Sequence, residues 1–421
     1  MRLFLRLPVL LWLLLKLPAA AQQGCHSVEY KLDLLRNNPG LTNTFLAIES
    51  FTHQQLERSR VVVNGAGHGD KSVDIITIPV IVHVIYLNAA QNISDAQVKS
   101  QIAVLNRDYR KLNADTSKIP SYYRELAADC GIRYVLANVD TNGKATTGIV
   151  RRQTHQMGFT YNDAVKFTAR GGDDAWDRDR YLNLWVCDLT DGVLGYSSAP
   201  GCPKQNDGVV IDYSAFGTMG TAAAPFNLGR TATHEIGHWL NLIHIWGDAN
   251  CGNDNVDDTP QQGAATRGNP SGMMFSCGNT PYGNLYMDYM DFTDDAGMYL
   301  FTYGQRERMR TLFAEGGARR SLLNSTGYMA GANEDPEVVD GGEMSFRIYP
   351  NPAVSTIQVT TDNPSWLSSE LVIYNQAGQR VMAVKIAAKS FNLNISSLPT
   401  GIYFLRAGNG KSCTPVKLIK M

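Results

Sequence analysis

His234, Glu235, His238 and His244, in the segment HEIGHWLNLIH, are the residues whose types and spacing point most directly to chemistry. Residues four apart share one face of a helix, so His234 and His238 can aim ring nitrogens at one metal ion, with Glu235 one step around beside it. A catalytic zinc needs three protein ligands and an open position. His244, six residues beyond His238, supplies the third ligand only if the helix ends and the chain turns back. Asn241 stands where that break must fall, and asparagine is the non-glycine residue best able to adopt a left-handed backbone. Glu235 would take a proton from the attacking water and return it to the leaving amine, while zinc polarises the scissile carbonyl. Histidines on an ordinary solvated helix would account for HExxH alone. The third histidine makes that account poor, and a carboxylate that is not a ligand argues against a purely structural metal.

These residues need a frame that sets a helix against a returning chain. At 421 residues the chain is too long for one ordinary core, so several units are expected. Lysine and arginine number 38 against 39 acids, which excludes a net charge that would draw the chain to nucleic acid or an anionic membrane. Arg2 and Arg6, the leucine-rich run from Leu7 to Leu17 and the alanines up to Ala21 read as a signal peptide over residues 1–21. Lys16 interrupts that run short of the roughly 20 residues of a membrane span, so no stable transmembrane anchor is expected. Residues 22–59 read as a prosegment, helical from Val28 to Leu56 around a Pro39-Gly40 break, and Val61 to Lys71 reads as an exposed connection open to proteolysis.

The catalytic unit, 60–323, opens on the buried-strand run IITIPVIVHVIY and continues into a helix that Ser94 can cap. Further short apolar runs, IRYVLANVD, YLNLWVCDL and GVVIDY, precede the histidines, giving an α/β sheet backed by helices. A linker over 324–343 leads to residues 344–421, whose short alternating segments read as a small all-β sandwich. Seven cysteines leave at least one unpaired within a monomer, and export permits disulfides. Cys251 and Cys277 flank a loop rich in Gly, Asp and Asn and form the expected bridge. Cys187 and Cys202 could form a second, and buried free thiols are the alternative for the remainder.

HEIGHWLNLIH and the downstream segment GNLYMDYMDFTDDAGMYLFTYGQ together resemble the pappalysin family of metzincins, in particular its compact bacterial members. The resemblance implies an α/β metzincin catalytic domain, with a twisted mixed sheet, a backing helix and an active-site helix, that cleaves proteins or peptides with zinc. Asn241 departs from the glycine usual there. A Met-turn methionine under the metal is implied, and Met290 takes that place in the ungapped register, with Met287 as the other register. Phe292 then stands where relatives carry tyrosine, so either Tyr289 replaces the missing hydroxyl or its role is absent. In the same register Asp295, or its neighbour Asp294, matches the acidic residue lining the pocket for the residue after the scissile bond. A carboxylate there would favour arginine, whose guanidinium pairs with it bidentately. Self-activation between Ser59 and Arg60 would suit that preference.

Cys251 and Cys277 match one of the family's two bridges, while Gly297 stands in place of a cysteine of the other. A structural calcium is implied, with Asp248, Asp254, Asp257 and Thr259, beside Asp258, as hard oxygen donors; a solvated turn is the alternative. Cys25, in GCHSVEY, matches a propeptide cysteine that closes zinc's open position and keeps the enzyme latent, against the alternatives of a lipidated N-terminus or a spare thiol. IYPNP, VIYNQAGQRV, LPTGIYFLR and the basic end VKLIK resemble the sorting domain of type IX secretion in Bacteroidetes-type bacteria, which implies that export machinery as a partner and a secreted or cell-surface location. The expected protein is a secreted zinc endopeptidase made as a zymogen. An inactive zinc-binding scaffold or a surface adhesin is the alternative.

Overall fold

The computed structural model describes residues 24–63, 74–329, 346–361, 369–376, 378–388, 390–407 and 416–421, with backbone alone at 59–63, 346, 347, 361, 407 and 417. The expected signal peptide, most of the Val61 to Lys71 connection and most of the linker lie outside the described residues.

The N-terminal part holds strand β1 (Gly24–Cys25) and helices α1 (Ser27–Asn37) and α2 (Leu41–Val63). Pro39-Gly40 separates the helices as expected, but α2 continues to Val63, so the connection begins after Val63 rather than at Val61. Strand β2 (Ile76–Tyr86) is buried on both faces, which its unbroken apolar run requires. Helix α3 (Asp95–Asp108) is capped by Ser94, whose Oγ accepts the Gln97 N–H, and sends Val98, Ile102 and Leu105 into the main core. A single turn, α4 (Ser121–Arg124), precedes strands β3 (Ile132–Leu136), β4 (Ile149–Gln153), β5 (Leu182–Cys187), β6 (Val193–Ser197) and β7 (Val209–Asp212). Helices α5 (Arg230–Trp239) and α6 (Tyr303–Thr311) complete the unit.

The strands form one twisted, mixed sheet in the order β1-β6-β7-β5-β2-β3, with β4 also on β2. Strands β3 and β4 follow one another along one edge of β2, at Ile76 to Val80 and Val82 to Tyr86. All ladders are parallel except β6 with β7. That antiparallel strand carries β1 on its outer edge, pairing Gly24 with Val193 and Cys25 with Gly195. Helices α3 and α5 pack together, and Ile236, Trp239 and Leu240 join the core above the sheet.

Residues 346–421 add strands β8 (Phe346–Tyr349), β9 (Thr356–Thr361), β10 (Glu370–Asn375), β11 (Arg380–Lys385), β12 (Ser390–Asn394), β13 (Gly401–Ala407) and β14 (Val416–Lys420). They make two antiparallel sheets, β11-β10-β13-β14 and β12-β9-β8. Ile357 and Val359 of one sheet share a core with Leu371, Ile373, Leu405 and Leu418 of the other, so the expected all-β sandwich is present. The segment ELVIYNQAGQRV is a hairpin turning at Gly378, with φ 74°.

Cys251 and Cys277 are joined by a disulfide. Cys187 and Cys202, the other suggested pair, are both free and buried, as is Cys130. Cys187 faces the core between Trp185 and Val193, whereas the Cys202 thiol lies against the Asp207 carboxylate.

Candidate metal centre

Helix α5 starts at Gly229, whose φ of 78° is left-handed, and Arg230 anchors its first turn. The buried Arg230 guanidinium pairs with Asp108 at 3.0 Å and Asp115 at 3.2 Å. The helix stops where the spacing of the histidines demands. Asn241 takes φ 72°, its N–H bonds to His238 O, and Leu242 N–H bonds back to Gly237 O. This pair of bonds is a Schellman ending, with asparagine in the place that usually favours glycine. The chain then reverses and brings His244 back to His238.

The Nε2 atoms of His234 and His244 lie 3.1 and 3.0 Å from that of His238. Each Nδ1 faces an acceptor: His234 the Tyr289 carbonyl at 2.6 Å, His238 the Leu242 carbonyl at 3.0 Å, and His244 the Asp248 carboxylate at 2.5 Å. With Nδ1 donating, every Nε2 carries a free lone pair, and three lone pairs facing one another at this range suit a shared cation and nothing else among ordinary partners. Burial also holds the imidazoles neutral, His234 down at about 4. The residues present therefore fit a zinc ion. Cys25 Sγ joins them, the four ligand atoms all lying within 4.8 Å of one another.

Glu235 is fully buried, and burial lifts its carboxyl to about 7, partly offset by a hydrogen bond from Ser27. Ser27 Oγ donates to Glu235 Oε2 at 2.7 Å and accepts the Ser197 N–H at 2.8 Å, while its own N–H donates to Cys25 Sγ at 3.3 Å. Gly195 permits this approach, since a Cβ there would lie 2.9 Å from Glu235 Cγ.

The two methionine registers separate cleanly. Met290 lies beneath α5, with its Sδ 2.4 Å from where a Cβ on Gly237 would stand, whereas Met287 packs elsewhere with Ile245, Leu285 and Leu300. The Phe292 ring lies 5.6 Å from that of His234 and 4.8 Å from that of His244. Tyr289 does not bring a hydroxyl to this place. Its backbone carbonyl orients His234, but its ring lies beneath the Arg230 guanidinium at 5.3 Å and is wholly buried.

Asp295 is 1% exposed, and its Oδ2 accepts the N–H groups of Leu228 at 2.7 Å and Arg230 at 3.3 Å, where α5 begins. Asp294 is half-buried beside it. Of the expected calcium donors, Asp248 is engaged with His244, and Thr259 Oγ1 donates to Asp254 at 2.9 Å. The Asp258 carboxylate accepts from Thr302 Oγ1 at 2.7 Å and Gly304 N–H at 2.8 Å. Ser59 and Arg60 fall in the last turns of α2, where only the backbone is described.

Sequence reading missed β6, whose run VLGYS is interrupted by glycine, and Ser27, which no motif marks although it stands two residues after Cys25.

Comparison with known proteins gives the same picture. The family described as pregnancy-associated plasma protein-A (Peptidase_M43) matches residues 167–314, and that of the secretion system C-terminal sorting domain matches residues 347–421. An extracellular metalloprotease of Pyricularia oryzae is 32% identical over 282 residues, spanning 64% of this chain and 85% of the relative. Tannerella forsythia mature mirolysin in complex with a cleaved peptide is 50% identical with a TM-score of 0.59, over 60% of this chain and 97% of that one. A point mutant of T. forsythia promirolysin is 44% identical with a TM-score of 0.61, over 72% of this chain and 97% of that one.

Proposed function

Because the chain belongs to the pappalysin (Peptidase_M43) family and is a secreted zinc metalloprotease with a C-terminal sorting domain, we propose that it is made as a latent endopeptidase cutting before arginine. The observation that carries this reading is the convergence of three histidine Nε2 atoms and the Cys25 thiol beside a buried glutamate. His234, His238 and His244 hold zinc, which supplies the positive charge that polarises the scissile carbonyl and makes water a better acid. Glu235 accepts the proton of the attacking water and delivers it to the departing amine. The peptide itself adds to the outer edge of β6, where main-chain bonds fix its register. Met290 and Gly237, in contact, set the height of the histidine helix over its floor. With Phe292 in place of a tyrosine, no side-chain hydroxyl from that position shares the developing oxyanion charge.

Latency follows from β1 occupying the same edge. Cys25 would be the fourth residue to hold the metal, Ser27 covers the base, and together they would exclude both water and substrate. Release requires a cut beyond α1, and the bond between Ser59 and Arg60, in the last turns of α2, has arginine following it. Asp295, supported by Asp294, is the acidic group for an arginine guest, three residues beyond the ring that touches His234 and His244. A calcium ion held by Asp254, Asp257 and Thr259, with Asp248 at its margin, would rigidify a loop already closed by the Cys251–Cys277 bridge. The C-terminal sandwich delivers the chain to type IX secretion machinery.

One experiment tests the central reading. The proform is incubated with a proteome-derived peptide library, alone, with a zinc chelator, and with a calcium-selective chelator. Cuts preceding arginine that vanish on zinc removal are expected, and calcium removal should lower thermal stability before it lowers cutting. Chelator-insensitive cleavage, or none after prosegment removal, sinks the zinc peptidase; random residues after the cut sink the Asp295 assignment.

A further inference from the structure

Tyr30, one turn into α1, is inserted into a socket that the catalytic unit builds. It is 4% exposed, its hydroxyl donates to Asp163 Oδ2 at 2.7 Å, and its ring centroid lies 5.1 Å from that of Tyr196. Lys166 Nζ stands 4.9 Å over the Tyr30 ring, 5.0 Å from the Tyr196 ring and 5.6 Å from the Trp185 ring. This lysine has no exposed surface. It pairs with Asp163 Oδ1 at 2.8 Å and donates to the Asn206 carbonyl at 2.7 Å, and Asn206 Nδ2 donates to Asp163 Oδ2 at 2.6 Å.

A buried ammonium is tolerable only when its charge and its donors are met. Here Asp163, Asn206 and the aromatic faces meet them without help from Tyr30, so the socket retains its charge pair when α1 leaves. What departs is one ring and one donor to Asp163. The vacancy is shaped for a planar ring, floored by a cation and ended by a carboxylate. Tyr196 is the β6 residue next to Gly195, the partner of Cys25, but its ring lies on the sheet face away from Glu235, the face to which every second side chain of a peptide paired with β6 points.

We infer that the Tyr30 socket becomes a side-chain subsite of the mature enzyme, selective for tyrosine within three residues of the scissile bond, with Asp163 determining that selectivity. The inference rests on the reading that the prosegment leaves a peptidase cleft. A tyrosine guest presents its ring face to the Lys166 ammonium and its hydroxyl to Asp163. Phenylalanine satisfies the cation but leaves the carboxylate short of a donor. Lysine or arginine meets a like charge, and an aliphatic guest leaves both groups unmatched.

The test uses activated wild-type protein and peptides that differ only at one position near the cut, carrying Tyr, Phe, Leu or Lys, placed at each of three positions on either side in turn. At one position kcat/KM should favour Tyr over Phe by roughly tenfold, the usual weight of a hydrogen bond to a charged group, and Phe over Leu and Lys. Asp163→Asn should collapse the Tyr-to-Phe ratio towards one while sparing the preference for Phe over Lys. No aromatic preference at any of the positions in wild type overturns the inference, as does a Tyr-to-Phe ratio untouched by a folded Asp163→Asn. If the protein cuts nothing, the same peptides are titrated against chain whose prosegment has been removed by trypsin. Tighter binding of the Tyr peptide then keeps the socket while refuting the peptidase, and equal binding of all four refutes both.

Discussion

Helix α1 and helix α2 belong to one N-terminal segment but hold the catalytic unit by different physics. At α1 and the β1 strand before it the contacts are polar and largely buried: Ser27 on Glu235 and the β6 backbone, Tyr30 on Asp163, and Cys25 among the histidines. Along α2 much of the surface is exposed, Leu46 at 63%, and the grip narrows to a few points. Ile48 and Thr52 are packed against the unit, and Glu49 forms a two-pronged pair with Arg308 at 2.8 and 2.6 Å. Arg308, 1% exposed, also donates to the Asn241 carbonyl at 2.8 Å, so this grip bears on the turn that brings His244 back. The difference separates two tasks. In the latent proform proposed above, contacts at α1 would silence the chemistry, and contacts at α2 would keep that element in place.

The comparison predicts a ranking of effects. Glu235→Ala removes the base and Ser27's acceptor together, so cleavage should fall by about 10²–10⁴-fold and the purified proform should stay full length, with α2 still protected from added trypsin. Loss of α2 protection in that variant would show that the two grips are not separable. Cys25→Ala should leave α2 docked but shorten the life of the proform, with trimmed chain accumulating on the order of tenfold faster on a gel. An unchanged rate would move latency from Cys25 to Ser27 and Tyr30.

Glu49→Gln tests the outer grip and should have the smallest effect. Because the Glu49 side chain is 36% exposed, replacing it should loosen α2 only a few-fold, read as faster amide exchange over residues 41–58 in an inactive background. Its pH dependence is distinctive. Burial alone would raise the Glu49 carboxyl, but the hydrogen bond and charge of Arg308 outweigh it, helped by Asn241 and Lys31, and hold it below the ordinary 4.5. A carboxyl lowered in the docked state stabilises docking fully above 4.5 and loses that contribution as pH falls through its lowered value. Protection of α2, taken relative to the intrinsic exchange rate at each pH, should therefore fall below pH 4.5 in the parent and hardly change in Glu49→Gln. The hydroxyl contacts of Ser27 and Tyr30 donate at either pH. Equal acid sensitivity of α1 and α2 would break the distinction between them.

The metal centre was legible in sequence because its signal is local. The spacing of His234, His238 and His244, with Asn241 between, encodes one helix face and one turn, and the backbone has few ways to satisfy it. Strand β2, helix α3 with its Ser94 cap and the C-terminal sandwich were legible for the same reason, since periodicity within a segment reports which side is buried. The bridge of Cys251 to Cys277 followed from the loop between them, while Cys187 and Cys202 gave no sign that one would face an apolar core and the other a carboxylate.

Other features depended on which distant segments meet. Strand β6 is too short and glycine-broken to announce itself, and it takes its place only because β7 holds one side and leaves the other to β1. Met290 was distinguished from Met287 by contact with Gly237, and Tyr289 was removed from the reaction by burial beneath Arg230. Ser27 and Tyr30 gain meaning only from Glu235 and Asp163, more than a hundred residues away. A sequence fixes what each side chain can do and the local geometry that repeats with helix or strand period. Long-range packing decides which donor finds which acceptor, because that choice depends on the whole core closing at once.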